Sequence, residues 1–228
     1  MGKTTTAVNL AHGLSISGKR VLLVDTDQQS HCSLLLGVNP KYGLADLFEG
    51  SVDPGDAITE VRSGLFLLAG SIALMAVDRE ISKRMSRVEY ALEDVLQPYE
   101  GRFDVVLLDT APGMSYLSVN SLFYADELMI PCSMEVLAVE GALRFQKELE
   151  ELVAGKPFQV VPTFVDNRVS RTKKIIDSLI KIFGDRVTYP VRYSTRLAES
   201  PAVGQTIFEY RRKEKVAEDY KRLAGVLL

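Results

Sequence analysis

The chain has 228 residues, of which 46% are hydrophobic and 25% charged, and its formal net charge at pH 7 is −3. This composition can bury one sizeable core, so we expect a single domain spanning residues 1–228. The slight acidic excess excludes a general electrostatic attraction to nucleic acid or anionic lipid, and any such binding requires a local basic patch.

The cysteines and the apolar runs indicate where the protein resides. Cys32 and Cys132 lie far apart without metal-ligand spacing, which is typical of reduced thiols in a cytosolic protein. No apolar run reaches the roughly 18 residues of a spanning helix, and no signal peptide is visible. We therefore expect a soluble cytoplasmic protein with no membrane association.

The opening segment predicts a phosphate-binding loop that enters a helix. Residues 1–6 read Met-Gly-Lys-Thr-Thr-Thr, and apolar residues then recur with helical spacing to residue 17. Backbone N–H groups at a helix N-terminus cradle phosphate, Lys3 supplies a mobile charge, and the Thr4 hydroxyl can ligate Mg²⁺. The segment is only the back half of the pattern G-x-x-x-x-G-K-[ST], so the prediction depends on the rest of the chain.

Short, continuous apolar runs predict strands that are covered on both faces, as in a parallel sheet. These runs lie at residues 21–24, 105–108, 128–130 and 160–161. Helical spacing predicts helices around residues 88–99, 142–153, 175–183 and 213–228. Residues 37–64 are interpreted as a surface excursion, that is, a segment outside the core layers, with a short helix at 42–49. The alternation predicts an α/β fold with a mostly parallel sheet and helices on both faces.

Three aspartates follow two of the predicted strands. Asp25 and Asp27 end the first run, and Asp109 ends the second. Ligands of such sheets bind at the carboxyl ends of the strands, and phosphoryl transfer to water needs held phosphates, a metal and a group that orients the water. A single acid here is more often an ordinary strand-end or capping residue, but three acids behind a Gly-Lys-Thr helix favour a nucleotide site with Mg²⁺.

Several motifs in chain order resemble one family. Residues 2–11 (Gly-Lys-Thr-Thr-Thr-Ala-Val-Asn-Leu-Ala), 19–30 (Lys-Arg-Val-Leu-Leu-Val-Asp-Thr-Asp-Gln-Gln-Ser) and 103–113 (Phe-Asp-Val-Val-Leu-Leu-Asp-Thr-Ala-Pro-Gly) look like the ParA/Soj branch of the deviant Walker-A ATPases, which also contains MinD. Residues 196–207 are similar to the family's R-L-x-E-A-P-x-x-G-x-P-I stretch. The resemblance covers essentially the whole chain and implies the P-loop NTPase architecture, with the first strand missing from this chain.

The resemblance also implies a function and a set of site residues. The implied protein is a partition ATPase of plasmid or chromosome segregation: a homodimer when ATP-bound, binding DNA non-specifically, stimulated by a ParB-type partner and nucleoid-associated. In the loop that contains Gly2, the resemblance implies that Lys3 contacts the phosphates, Thr4 ligates Mg²⁺ and Thr5 contacts the α-phosphate. It implies that Asp27 orients the hydrolytic water and that Asp25 and Asp109 support the hydration shell of Mg²⁺. The adenine is implied to lie near Asp166 and Pro190.

The chain departs from the family at its start. The family loop reads K-G-G-x-G-K-[ST]-[ST], and this chain begins at the x, without the extra lysine and the central first strand. The simplest explanation is a start codon assigned too late or a trimmed chain; the rival is a natural product without ATP-driven dimerisation. Taken literally, the chain should bind ATP weakly, hydrolyse it little, and leave either a gap in the sheet or a repaired strand pairing.

Two further interpretations remain open. Arg192 and Arg196 lie in a basic C-terminal third, where family members contact DNA phosphates, although a basic run is more often a solvated face. A MinD-like membrane-cycling ATPase would need a last helix that binds lipid, and residues 218–221 (Glu-Asp-Tyr-Lys) have too little cationic character for that, which argues against it. A non-hydrolysing interaction protein is the third alternative.

Overall fold

A computed structural model describes residues 2–227; Met1 of the predicted loop and Leu228 of the predicted last helix lie outside the described residues. The strands are β1 Val21–Asp25, β2 Ile58–Arg62, β3 Leu65–Leu68, β4 Val105–Asp109, β5 Leu128–Ser133 and β6 Phe158–Thr163. The helices are α1 Lys3–Ile16, α2 His31–Leu36, α3 Leu44–Glu49, α4 Pro54–Ala57, α5 Leu74–Ser82, α6 Ala91–Leu96, α7 Tyr116–Tyr124, α8 Val136–Leu152, α9 Ser170–Phe183, α10 Thr195–Glu199, α11 Ile207–Tyr210 and α12 Lys215–Ala224.

The strands form a four-stranded sheet in the order β2-β3-β1-β4 and a two-stranded sheet of β5 and β6. β1 is parallel to both β3 and β4, β5 is parallel to β6, and β2 alone is antiparallel to its neighbour. In the register of β1 and β4, Asp25 lies directly beside Asp109. The four predicted apolar runs are therefore confirmed as strands of mostly parallel sheets.

Helices cover both faces of the larger sheet. Because successive strand residues point to opposite faces, Val21 and Leu23 of β1 pack in one core with α1 and α12, while Leu22 and Val24 pack in a second core with α3, α5 and α6. All five residues of β1 are buried, which explains why its apolar run is continuous. The predicted layered α/β fold is confirmed.

The two sheets do not join within residues 2–227. There β4 pairs with β1 alone and β5 pairs with β6 alone, and a cleft of about 870 Å³ separates β4 from β5. Of the two outcomes expected for a sheet without its central strand, the structure therefore shows the gap.

The prediction for residues 37–64 was only partly right. The short helix is present as α3, but residues 58–62 form β2, which pairs with β3. β2 is half-exposed and contains polar residues, so it lacks the continuous apolar pattern of a covered strand. β3 is a continuous apolar run at residues 65–68 that the sequence analysis did not single out. The predicted helix over residues 88–99 is also interrupted, with 3₁₀ turns at Val88–Tyr90 and Gln97–Tyr99 around α6.

The last helix packs on the first one. Val216, Tyr220 and Leu223 of α12 are at most 1% exposed and share a core with Leu10 and Leu14 of α1. This confirms the interpretation of the C-terminal segment as a helix packed on the fold. No helix in the described part of the chain is long and apolar enough to cross a membrane.

Candidate functional site

The first turn of α1 is prepared for an anion. Gly2 precedes the helix with a φ of +81°, and no side chain of the described residues caps the free N–H groups. The turn carries Lys3 and three threonines but no acid. Uncapped N–H groups and the positive end of the helix dipole together favour a bound phosphate.

Gly2 is also required by its surroundings. A Cβ at this position would lie 3.3 Å from the ring of Phe164, and the positive φ is one that side-chain-bearing residues rarely adopt. Phe164 itself has a φ of +56°, an uncommon conformation for a bulky residue. Phe164, directly after β6, therefore helps to shape the loop, and nothing in the sequence pattern singled it out.

Two strand ends bring the predicted acids together. The Asp25 carboxylate accepts hydrogen bonds from the backbone N–H of Asp27 at 3.0 Å and of Cys32 at 3.1 Å. The Asp109 carboxylate accepts from the Cys32 thiol, with 3.6 Å between Sγ and Oδ2, and is hydrogen-bonded by the Thr4 side chain. Thr4, Asp25 and Asp109, predicted as metal-supporting residues, thus lie in one cluster.

The cluster fits a divalent cation. Potential ligand atoms of Asp25, Cys32 and Asp109 all lie within 4.8 Å of one another, and all three residues are buried. Burial raises the pKa of the Cys32 thiol well above its usual range, so the sulfur stays protonated and donates to Asp109. The available ligands are then the oxygens of Thr4 and the two carboxylates, which are the ligands that Mg²⁺ prefers.

The charges in the site are unbalanced without a cation. Burial raises the pKa of Asp109, and it raises the pKa of Asp25 to about 6. Burial lowers the pKa of Lys3, while the nearby carboxylates of Asp109 and Asp27 oppose this change. One half-buried ammonium group therefore faces three buried carboxylates, and a divalent metal would restore neutrality.

The pKa of Asp25 predicts how stability depends on pH. The folded protein holds this proton up to about pH 6 and the unfolded chain only to its ordinary pKa of 3.8, so the free energy of unfolding should fall as the pH rises between these values. A shift of this size corresponds to about 3 kcal/mol. Urea unfolding in the presence of EDTA, at pH values from 4 to 7, measures this free energy of unfolding.

The control for this prediction is the matched variant Asp177→Asn, which removes an exposed carboxylate of α9. Asp25→Asn should flatten the fall in stability between pH 4 and 6, whereas Asp177→Asn should keep it. Identical pH profiles for the wild type and Asp25→Asn would contradict the assignment.

Asp27 is held in a defined position beside the acids. Its side chain is buried, and its Oδ1 accepts from the N–H of Gln29 at 2.9 Å. Gly70 lies against the same segment: a Cβ there would be 2.5 Å from the carbonyl oxygen of Asp27 and 2.9 Å from that of Asp25. Sequence reasoning missed Gly70 and Cys32, whose importance comes from neighbours that are distant in sequence.

A cavity of about 980 Å³ adjoins the start of α1, and this volume suits a nucleotide-sized ligand. Lys3, the turn at residues 110–113 and Asp166 line it. Arg168 donates from Nε to Oδ1 and from Nη2 to Oδ2 of Asp166, and this bidentate pair lowers the pKa of Asp166 to about 2. Pro190, the other predicted adenine contact, is exposed and does not line this cavity.

The two predicted DNA-binding arginines are both ion-paired. Arg192 makes a bidentate pair with Asp219 of α12, with Nε–Oδ2 and Nη2–Oδ1 distances of 2.6 and 2.7 Å. The Asp219 side chain is only 5% exposed, so this pair joins α12 to the preceding loop. Arg196 pairs with Glu199 at 2.8 Å on the surface.

Comparisons with known proteins agree with this geometry. A family model described as an AAA domain matches residues 1–157. The chain is 34% identical to the chromosome-partitioning ATPase Soj of Thermus thermophilus, covering 98% of this chain and 89% of the relative. It is 30% identical to the chromosome partitioning protein ParA of Caulobacter vibrioides, covering 98% and 88%.

A solved structure is similar to the whole fold. Cobyrinic acid a,c-diamide synthase from Mycobacterium smegmatis, crystallised with an ATP analogue and magnesium, superposes with a TM-score of 0.81 at 26% identity, covering 99% of this chain and 88% of that one. Proteins that resemble this chain over nearly their full length thus include ATPases and a structure containing nucleotide and magnesium.

Proposed function

The chain belongs to the ParA/MinD superfamily of P-loop ATPases, and from this premise we propose that it is a partition ATPase that binds ATP with Mg²⁺ and hydrolyses it to ADP and phosphate. One observation carries the proposal: Asp25 and Asp109 are paired in register on adjacent strands, beside the uncapped first turn of α1. Phosphate, metal and water thus have binding groups at one edge of the sheet.

Each group has a part that its chemistry supports. The first-turn N–H groups and Lys3 hold the phosphates, and Thr5 contributes to the same turn. Thr4, Asp25 and Asp109 would hold Mg²⁺, which supplies positive charge against the charge that develops during phosphoryl transfer. Asp27, fixed by the Gln29 N–H, orients the attacking water through its remaining carboxylate oxygen.

We further propose a homodimer that forms when ATP is bound. Its support is a set of exposed apolar side chains lining the cavity beside the loop: Leu137 is 76% exposed, Phe164 45% and Met114 42%. Exposed apolar groups gathered at a ligand cavity are typical of a surface that a partner covers. A ParB-type partner that stimulates hydrolysis, and nucleoid association through non-specific DNA, complete the proposal.

The proposed function is tested by measuring Mg²⁺-dependent ATP hydrolysis and the molecular mass of the protein in solution with different nucleotides. Purified protein should release phosphate from ATP with Mg²⁺ and lose this activity in EDTA, and light scattering should show twice the monomer mass with a non-hydrolysable ATP analogue but not with ADP. If neither Mg²⁺-dependent nucleotide binding nor phosphate release is seen, the protein is the non-hydrolysing interaction protein instead.

A MinD-like membrane function is not favoured. Lipid binding by α12 would require a free apolar face on this helix, and that face is covered by α1. The residues left outside are charged, including Lys221 and Arg222 beside Glu218. The α12 helix therefore serves the fold rather than a lipid surface.

The ion pairs change how DNA binding should be tested. Arg196→Glu removes a surface cation without exposing a buried acid, so DNA affinity should fall and the slope of log K against log salt should decrease by about 1. Arg192→Glu would also unpair the buried Asp219, so Arg192→Gln is the milder substitution. Fluorescence anisotropy with a DNA duplex of random sequence, at several salt concentrations, measures the DNA affinity and its salt slope for each variant.

The control for DNA binding is Lys181→Glu, which reverses an exposed charge on α9. It should leave DNA binding close to that of the wild type, and thermal melting must show that all variants are folded. Unchanged affinity and salt slope for Arg196→Glu combined with Arg192→Gln would exclude these arginines as phosphate contacts.

A further inference from the structure

Asn9 of α1 connects the phosphate-binding turn with a segment that is 198 residues away in the chain. Its side chain is 2% exposed, and its Nδ2 donates to the carbonyl oxygen of Thr5 at 2.8 Å. Its Oδ1 accepts from the backbone N–H of Ile207, the first residue of α11, at 2.9 Å. One buried carboxamide thus bridges the first turn of α1 and the first turn of α11 with both of its polar atoms.

Residues 200–209, which we call the brace, also contact α2. Gly37 follows α2 and packs so closely on Gly204 that a Cβ at Gly37 would lie 2.8 Å from the Cα of Gly204. Arg62 of β2 donates to the carbonyl oxygens of Gly204 and of the last residue of α2, and it also pairs with the carboxylate of Glu209. The brace therefore holds the end of α2 by a backbone contact and through one guanidinium group.

The helices α1 and α2 both begin at the nucleotide site. The first turn of α1 is the phosphate-binding turn, and α2 follows the loop of Asp27, where the backbone N–H of Cys32 donates to the Asp25 carboxylate. The brace contacts α1 through Asn9 and α2 through Gly37, so it fixes one helix relative to the other. The distance between the phosphates and the water oriented by Asp27 depends on that relation.

We propose that Asn9 is a positioning residue for ATP hydrolysis, an inference that rests on the proposed function. Asn9 is buried behind the turn, so it acts through Thr5 rather than by contact with the nucleotide. It holds the phosphate-binding turn against the brace, and the brace holds α2, so the phosphates and the attacking water keep their alignment. A misplacement of about 1 Å far from the reacting atoms can cost about 10²-fold in rate.

The variant Asn9→Leu tests the bridge, because leucine is similar in size to asparagine and has no hydrogen-bonding group. The Nδ1 atom of His12 lies 2.6 Å from the hydroxyl oxygen of Thr206, so a second contact keeps the brace on α1 in this variant. Phosphate release at varied ATP concentration should show kcat lowered by about 10–100-fold and KM changed by less than about threefold.

Hydrogen exchange of the nucleotide-free protein supplies a readout that is independent of turnover. In Asn9→Leu the amide of Ile207 loses its acceptor, so it should exchange faster than in the wild type. The amides of α2 should also exchange faster, although no atom of α2 is bonded to Asn9 among the described residues. Faster exchange in α2 would show that the bridge acts on α2 through the brace.

Asn120 of α7 is the matched control because it makes the same kinds of hydrogen bonds away from the phosphate-binding turn. It is 1% exposed, its Nδ2 donates to the carbonyl oxygen of Tyr116 at 2.8 Å, and its Oδ1 accepts from the N–H of Leu92 in α6 at 3.0 Å. Asn120→Leu should lower the Tm as much as Asn9→Leu does. It should keep the wild-type kcat when all proteins are assayed well below their Tm.

Arg62→Gln tests the other end of the connection, because it loosens the brace from α2 without changing α1. It should reproduce the loss of kcat, and the double variant with Asn9→Leu should lose less than the product of the two single losses, because both act through the brace. Arg87→Gln breaks an exposed ion pair with Asp94 and should keep the wild-type kcat.

The outcomes separate this inference from the proposed function. Normal kcat in Asn9→Leu, or an equal loss of kcat in Asn9→Leu and Asn120→Leu, would overturn the positioning role and leave the ATPase function in place. Unchanged exchange in α2 would overturn it as well. A wild type that neither binds nor hydrolyses ATP would overturn the proposed function, and the positioning role with it.

Discussion

Replacing Asp27 with asparagine is expected to reduce ATP hydrolysis by about 10²–10⁴-fold while nucleotide affinity changes little. The carboxylate is buried at the end of β1, next to Asp25, and Lys3 lies near it. Asparagine keeps an oxygen that can accept from the Gln29 N–H, so the local loop should keep its conformation. What is lost is the anionic group that orients water, an interaction needed only in the transition state.

The measurement for Asp27→Asn combines steady-state phosphate release with calorimetric binding of ATP and Mg²⁺. Asp185→Asn is the matched control because Asp185 is an exposed acid near the end of α9, and it should retain normal turnover. Loss of nucleotide affinity equal to the loss of turnover would instead place Asp27 among the binding residues. Normal turnover would remove it from the site.

Replacing Lys3 with alanine is expected to abolish productive nucleotide binding. Lys3 is the cationic side chain of the first turn of α1, and it lies between the acids and the cavity beside the loop. Without it, the phosphates would meet Asp27 and Asp109 with no neutralising side chain, so repulsion would add to the lost contact. We expect turnover to fall at least about 10³-fold, in line with the loss of a charged phosphate contact.

Thermal melting with and without ATP and Mg²⁺ directly measures the loss of nucleotide binding in Lys3→Ala. A ligand present at 100 times its Kd stabilises the folded state by about 2.7 kcal/mol, so ATP with Mg²⁺ should raise the Tm of the wild type and leave Lys3→Ala unchanged. Lys83→Ala, which removes an exposed lysine after α5, should keep the nucleotide-dependent shift. A wild-type-sized shift in Lys3→Ala would contradict the role of Lys3. Lys3→Arg tests whether a compact point charge is needed, because a planar guanidinium differs in size and geometry.

The layered fold and the acids were accessible from sequence because their signals are local. A strand covered on both faces must be apolar at consecutive positions, and this identified β1, β4, β5 and β6. Since parallel strands end at the same edge of a sheet, the positions of Asp25, Asp27 and Asp109 after two strands implied that they meet. The structure bears out this placement, with Asp25 beside Asp109 in register.

The weaker elements were not accessible in the same way. β2 is a short, half-exposed edge strand, and its residues were interpreted as part of a surface excursion. β3 is a short inner strand at residues 65–68, and the sequence analysis did not predict it. The interruptions beside α6 depend on local hydrogen bonding that apolar spacing does not report. The same limit applies to Phe164, whose positive φ and proximity to Gly2 have no signature in the sequence pattern.

The sequence by itself determined four of the described strands and their order, the helix that follows Gly-Lys-Thr, and the acids at two strand ends, since each depends on residues close in the chain. Tertiary structure alone decided that Cys32 donates to Asp109, that Gly70 makes room for the Asp25–Asp27 segment, and that Arg192 neutralises buried Asp219. These features arise between residues that are distant in sequence, and their energies depend on burial and distance, which exist only in the folded chain.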